Sequence, residues 1–202
     1  MRTGTKIIYL ASASPRRHEI LKRMKVRFRV VKSTYHEEHH SHLHPRVLVL
    51  RHAAGKARQA IVPVTGQFVL GADTLVYCRG KILGKPKTGK EAFDMLSLIS
   101  GKQHEVYTGV ALWDRKTGKI KKAVSRTRVF VKTLSEKEIR LYIQKVNSLD
   151  KAGAYAIQMK PGIVKKIEGS YSNVVGLPEE VVRKLLKLVI PAHFRSRTSS
   201  SA

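Results

Sequence analysis

Ser14, Pro15, Arg16 and Arg17 follow a short apolar strand pattern (Lys6 to Leu10) and a serine-rich turn through Ser12. Ser suits a helix N-cap, and Pro suits the first helical position. A helix start offers unpaired N–H groups and a positive dipole end. Two arginines in that first turn are unfavourable unless an anion sits among them. The stretch therefore predicts phosphate binding, and phosphate points to a nucleotide. An ordinary capped helix with solvated arginines would carry the same residues. Further on, the apolar run Phe68 to Tyr77 is interrupted by Asp73. Asp is depleted in strands and expensive to bury unpaired. No other acid occurs between Glu38 and Asp73. An aspartate facing a cleft binds a hard metal ion or accepts a proton from water. A turn residue, or a partner for a buried lysine, is the alternative this pattern leaves open.

Strand-like and helix-like segments alternate along the chain, which predicts an α/β fold. The first helix starts at Pro15 and places Ile20, Leu21 and Met24 on one face. A second is expected over 45–61, burying Leu50, Ala53, Ala57 and Ala60. A third follows Gly89, with Ala92, Met95, Leu96 and Ile99 at helical spacing. The fourth opens on Ser135 and Glu138, a capping-box pattern, and a fifth follows Pro178. Strands are expected near 6–11, 26–32, 67–77, 104–113, 120–132, 154–158 and 163–168. Asp114 to Gly118 reads as a hairpin turn between two long strands. Residues 191–202, rich in serine, are expected to be a disordered tail.

Composition sets limits. The chain has 202 residues, 42% hydrophobic, enough for one sizeable core. No apolar run approaches the ~18–20 residues that span a bilayer. Lys6 to Leu10 is too short for a signal-peptide core. The single cysteine, Cys78, excludes an internal disulfide framework and fits a reducing cytoplasm. Forty Lys and Arg stand against 14 acids, a formal charge of +26. Such a balance predicts salt-dependent attraction to polyanions, so a basic nucleic-acid-binding protein is the rival class. The cations are diffuse, however, and aromatics are only 6%. Gly84 to Glu91 nearly spells a P-loop but ends on Glu91, where a hydroxyl should reach Mg²⁺, which excludes that ATPase reading. His36, His39, His40, His42 and His44 lack a Cys or acid at metal-ligand spacing and read as a flexible loop.

Several short motifs occur in one order. They are Ser12 to Arg17, Tyr35 to Glu38, Ala54 to Ala57 with Lys56, and Leu70 to Thr74. Leu83 to Pro86 with Lys85, Gly101 with His104, and Tyr107 to Val110 come next. Asp150 to Gln158 and Gly169 to Pro178 complete the series. The series resembles the Maf family of nucleoside triphosphate pyrophosphatases, over about residues 6–189. The resemblance implies a mixed, twisted sheet with flanking helices, in two lobes around a central cleft, as in inosine triphosphate pyrophosphatases. It implies one such domain over 1–190, and it admits a homodimer. By the same resemblance, Asp73 is the catalytic acceptor. Ser12, Arg16, Arg17, Lys56 and Lys85 form the phosphate cradle. Glu37, favoured over Glu38 by the motif register, joins Asp73 in holding Mg²⁺ or Mn²⁺.

The family has a branch acting on dTTP and UTP that carries Arg, Thr and Gln at three specificity positions. A 7-methyl-GTP branch carries Trp, Gln and Glu there. Here they read Arg16, Thr74 and Gln158, and a Gln amide offers a uracil-type edge both donor and acceptor. The implied function is hydrolysis of dTTP and UTP to the monophosphate and pyrophosphate, in service of clearing non-standard nucleotides. The 7-methyl-GTP activity is the alternative within the family. His36 departs from the family, replacing an acid common before the motif Glu, and the net charge exceeds what the activity requires.

Overall fold

The computed structural model describes residues 7–37, 43–160 and 162–189. Seven strands form one sheet: β1 Ile8–Leu10, β2 Phe28–Val30, β3 Phe68–Cys78, β4 Lys81–Leu83, β5 Gln103–Asp114, β6 Ile120–Val131 and β7 Val164–Glu168. Their order is β2-β1-β3-β5-β6-β7, with β4 paired to the end of β3. The β1 pairings with β2 and β3 are parallel, and the remaining pairings are antiparallel. Helices α1 Pro15–Arg23, α2 Pro45–Arg58, α3 Gly89–Ile99, α4 Glu136–Lys145, α5 Tyr171–Val175 and α6 Glu179–Val189 flank it. This is the mixed α/β sheet expected.

Strands β3 and β5 are long enough to run through two apolar clusters. At one end Ile8, Leu10, Leu21, Phe68, Leu70, Leu112 and Val182 pack together. At the other, Val76, Leu83, Leu96, Val106, Ile139 and Tyr142 do so. Asp73 and Thr74 lie on β3 between them, so the sheet presents polar groups where neither cluster covers it.

Helix α2 crosses β3 and β5 at close range because two glycines allow it. A Cβ on Gly71 would lie 2.1 Å from the Ala53 carbonyl oxygen, and one on Gly109 2.4 Å from that of Val49. Gly109 is also the register partner of Asp73 across the β3–β5 ladder. Contact through Val49 and Ala53 rotates the helix away from the expected face. Leu48, Val49, His52, Ala53, Ala54 and Ala57 are buried, while Leu50 and Ala60 are only half-buried. Gly109→Ala should therefore push α2 off the sheet. Overpacking of this kind costs about 1–3 kcal/mol, and a fall in melting temperature by circular dichroism checks it.

Several local expectations hold. Ser135 accepts from Glu138 N–H while the Glu138 carboxylate accepts from Ser135 N–H, completing the capping box. The Asp114 carboxylate accepts from Lys116 N–H and Thr117 Oγ1 in the hairpin turn. Others are corrected. Helix α2 stops at Arg58 rather than reaching Ile61, and an isolated bridge pairs Ser33 with Ala60. Ser14 occupies the N-cap position of α1, but its hydroxyl makes no capping bond. No strand forms over 154–158. The chain instead leads into this stretch through two short 3-10 turns, Ser148–Asp150 and Ala152–Ala154, with Gly153 at φ 70° and Ala154 at φ 64°, and stays irregular over 155–158. Strand β4 and the short helix α5 were not foreseen. The expected tail over 191–202 lies outside the described residues, as do Glu38, His39, His40 and His42. His44, expected in a flexible loop, caps α2, its Nδ1 accepting from Arg46 N–H.

Candidate active site

Arg16, Arg17, Glu37, Lys56, Asp73 and Thr74 line one cavity of about 320 Å³, with Lys85 and Gln158 among its other walls. Eight of the nine residues singled out in the sequence thus meet in one place. Ser12 is the ninth, and it sits behind the wall. Its hydroxyl accepts from Arg17 Nη1 at 3.0 Å and from Ser14 N–H at 3.3 Å.

The floor is built by β3 and α2. Asp73 is buried, with its two carboxylate oxygens held separately. Lys56 Nζ lies 2.6 Å from Oδ1, and His52 Nδ1 lies 3.1 Å from Oδ2. His52 and Lys56 are four residues apart on α2 and so share a face. Lys56 Nζ also lies 2.6 Å from Glu37 Oε1, so one ammonium bridges carboxylates from two distant segments. Burial works to raise the Asp73 pKa. The His52 hydrogen bond, the Lys56 charge and hydrogen bond, and the charge of Arg17 outweigh it, and the carboxyl lies well below its usual range. Asp73 is therefore ionised throughout the neutral range.

Arg17 is a fixed cation. Nε donates to the Gly176 carbonyl at 2.9 Å, Nη1 to Ser12, and Nη2 to Thr74 Oγ1 at 3.1 Å. Burial lowers its pKa, opposed by Asp73 and Glu37. Thr74 Oγ1 also lies 3.0 Å from Thr108 Oγ1, which ties Thr74 to β5. Arg16 is freer, with Nη1 3.7 Å from Asp150 Oδ2. That carboxylate also pairs with the buried Lys151.

The turns over 148–154 explain how the far wall is held. Gly153 N–H donates to the Gly84 carbonyl at 3.0 Å, joining the Lys85 turn to the segment that leads to Gln158. A Cβ on Gly153 would lie 3.1 Å from Val76 of β3. A left-handed non-glycine residue such as Ala154 costs about 1–2 kcal/mol, and such outliers concentrate at functional sites.

Tyr155 closes the wall, its hydroxyl 2.7 Å from Nε2 of the buried His104. His104 Nδ1 finds no hydrogen-bond partner among the described residues. Burial pushes the His104 pKa from 6.5 down to about 4, so the ring stays neutral in the fold. Unfolded chains bind this proton from about pH 6.5 downward. Its contribution to stability is complete above that value and is lost as pH falls toward 4. The loss amounts to about 3 kcal/mol. Thermal melts from pH 7 to pH 4 should show a steeper decline in the wild type than in His104→Gln.

Glu37, His52 and Asp73 each offer one ligand atom, all within 4.8 Å of one another. The two carboxylates of this set fit a hard divalent cation, while His52 Nδ1 is engaged with Asp73 Oδ2. His52 was not among the residues singled out, and Asp150 and Lys151 entered only as part of the Asp150 to Gln158 motif, without a role in the site. The four-residue spacing from His52 to Lys56 was the one available signal for His52.

Fold and cavity together define an α/β protein whose cationic cleft, floored by two carboxylates, suits a phosphorylated small molecule. The chain belongs to the Maf-like protein family, whose pattern matches residues 7–189. It is 51% identical over 173 residues to a protein of Geobacter sp. strain M21 named dTTP/UTP pyrophosphatase, covering 85% of this chain and 89% of that one. A protein of the same name from Geotalea uraniireducens is 47% identical over 183 residues, covering 90% and 94%. One from Methanosarcina barkeri, again of that name, is 42% identical over 182 residues, covering 89% and 92%. Among the described residues, no helix is long and apolar enough to cross a membrane.

Proposed function

We propose that this chain hydrolyses dTTP and UTP to the nucleoside monophosphate and pyrophosphate. The observation that carries the reading is the Lys56 ammonium shared by Glu37 and Asp73 beneath the cavity's arginines. The names of the relatives supply the nucleotides. The triphosphate enters with its charge met by Arg16, Arg17 and Lys85. Arg17 is already aimed by Ser12, Thr74 and the Gly176 carbonyl, so little reorganisation accompanies binding. Lys56 sits on a flexible stem and transfers from the carboxylates to phosphate oxygens.

A carboxylate held far below its usual range is a weak proton acceptor. Transfer of Lys56 raises the basicity of Asp73 when a water must be activated. Asp73 Oδ1 then orients that water toward the α-phosphorus and draws off its proton. Glu37 and Asp73 would hold Mg²⁺ or Mn²⁺, which supplies charge neutralisation for the phosphates. Gln158 at the rim reads the uracil-type edge, and Arg16 and Thr74 complete the specificity set. The catalytic unit spans residues 1–190 and works in the cytoplasm. Hydrolysis of dTTP in ¹⁸O-water tests the reaction centre. Label in the monophosphate supports attack at the α-phosphorus, whereas label in pyrophosphate or free phosphate contradicts it.

A further inference from the structure

We propose that His52 is a positioning residue: its Nδ1–H fixes Asp73 Oδ2 so that Oδ1 stays directed into the cavity while Lys56 moves to the substrate. The inference rests on the reading of Asp73 as the reacting carboxylate. An ionised carboxylate only accepts hydrogen bonds, so the 3.1 Å contact requires the proton on His52 Nδ1. The two oxygens of Asp73 thus have unlike partners. Lys56 is an ammonium on four flexible carbons, its side chain 14% exposed and part of the cavity lining. His52 is a fully buried ring with no comparable freedom.

The ring is held from the side as well. Tyr35 lies against it, with centroids 5.8 Å apart and planes at 57°. Tyr35 occupies the space where residue 55 would carry a side chain, since a Cβ on Gly55 would fall 2.2 Å from Tyr35 Cε2. Tyr35 in turn precedes Glu37 by two residues. The succession Gly55, Tyr35, His52, Asp73 therefore couples the loop bearing one carboxylate to the side chain of the other. Once Lys56 has left for the triphosphate, His52 is the group that still prevents Asp73 from rotating. Supporting contacts of this kind change activity by about 10–100-fold when removed.

The test compares His52→Leu, which keeps the bulk and removes the donor, with His52→Asn, whose amide nitrogen falls at the place of Nδ1. Steady-state kinetics on dTTP should show kcat of the Leu variant reduced by about 10–100-fold, with KM little changed. The Asn variant should recover most of kcat. A Leu variant with wild-type kcat, or Asn and Leu variants equally impaired, would overturn the proposal. If His52→Leu does not fold, His52→Gln replaces it, because its donor lies one carbon too far. Long-range ¹H–¹⁵N spectra of the wild-type imidazole give a readout independent of turnover. A proton on Nδ1 is expected, and an unprotonated Nδ1 would sink the proposal. Absence of turnover in the wild type, with Nδ1 protonated, would instead count against the reading of the reaction.

Discussion

Asp73→Asn should reduce pyrophosphate release by roughly 10²–10⁴-fold, the usual contribution of a positioned acid–base group. Asn keeps the shape and an acceptor for Lys56 but loses both the charge and the basicity of the carboxylate. The fold should survive. Lys56 retains Glu37 at 2.6 Å, so removing Asp73 does not leave a buried ammonium alone. A destabilisation of about 1–3 kcal/mol covers the hydrogen bonds that weaken. The variant should also change acid stability in a definite direction. The wild-type carboxyl lies well below its ordinary value, because His52, Lys56 and Arg17 outweigh burial. The stability it contributes is complete above about pH 4, the unfolded carboxylate value, and is lost as pH falls below that. Asp73→Asn should therefore flatten the stability profile on the acid side of pH 4. A steeper profile would contradict the assignment of charges.

Lys56→Met should have two effects of opposite sign. Turnover should fall by roughly 10²–10³-fold, as when one preorganised charge-stabilising donor is lost. Binding of Mn²⁺ to the protein without nucleotide should tighten. The ammonium stands 2.6 Å from both Glu37 Oε1 and Asp73 Oδ1, on the two carboxylates that would hold the cation. Like charges about 4 Å apart repel by about 4 kcal/mol for each unit of charge at an effective dielectric of ~20. Removing one of them should strengthen cation binding by more than about tenfold. Electron paramagnetic resonance of free Mn²⁺ reads this directly, with Glu37→Gln in the same background as the control for location. Unchanged or weaker binding in Lys56→Met would show that the ammonium and the cation do not compete.

How much of this was legible in the sequence depended on the range of the interaction that decides each feature. The start of α1, the capping box at Ser135 and the hairpin turn at Asp114 rest on contacts within a few residues, and short motifs report them well. Asp73 was visible because a lone acid in an apolar run demands a partner. His52 was marked only by its four-residue spacing from Lys56. Its role depends on α2 lying unusually close to the sheet, which two glycines on other elements permit. A histidine in an alanine-rich helix carries no mark of that. The segment 154–158 misled for a related reason. Ala154 to Ile157 is apolar enough to read as a strand, but the left-handed residues Gly153 and Ala154 turn it into the cavity wall. Ser12, expected in the phosphate cradle, faces Arg17 rather than the open cavity, a difference of side-chain direction that spacing does not carry.

Much of the +26 charge lies away from the cavity, for example on exposed Lys121, Lys122, Lys165 and Lys166 of β6 and β7. The cavity itself is lined by Arg16, Arg17, Lys56 and Lys85, which are enough for the proposed triphosphate. The most direct test of the account is pyrophosphate release with Mg²⁺ or Mn²⁺ from dTTP, UTP, CTP, GTP, ATP and 7-methyl-GTP, with Asp73→Asn alongside. Release is expected only from dTTP and UTP, and is lost in the variant. Preference for 7-methyl-GTP would overturn the roles of Arg16, Thr74 and Gln158, and no turnover of any triphosphate by folded protein would contradict the account as a whole.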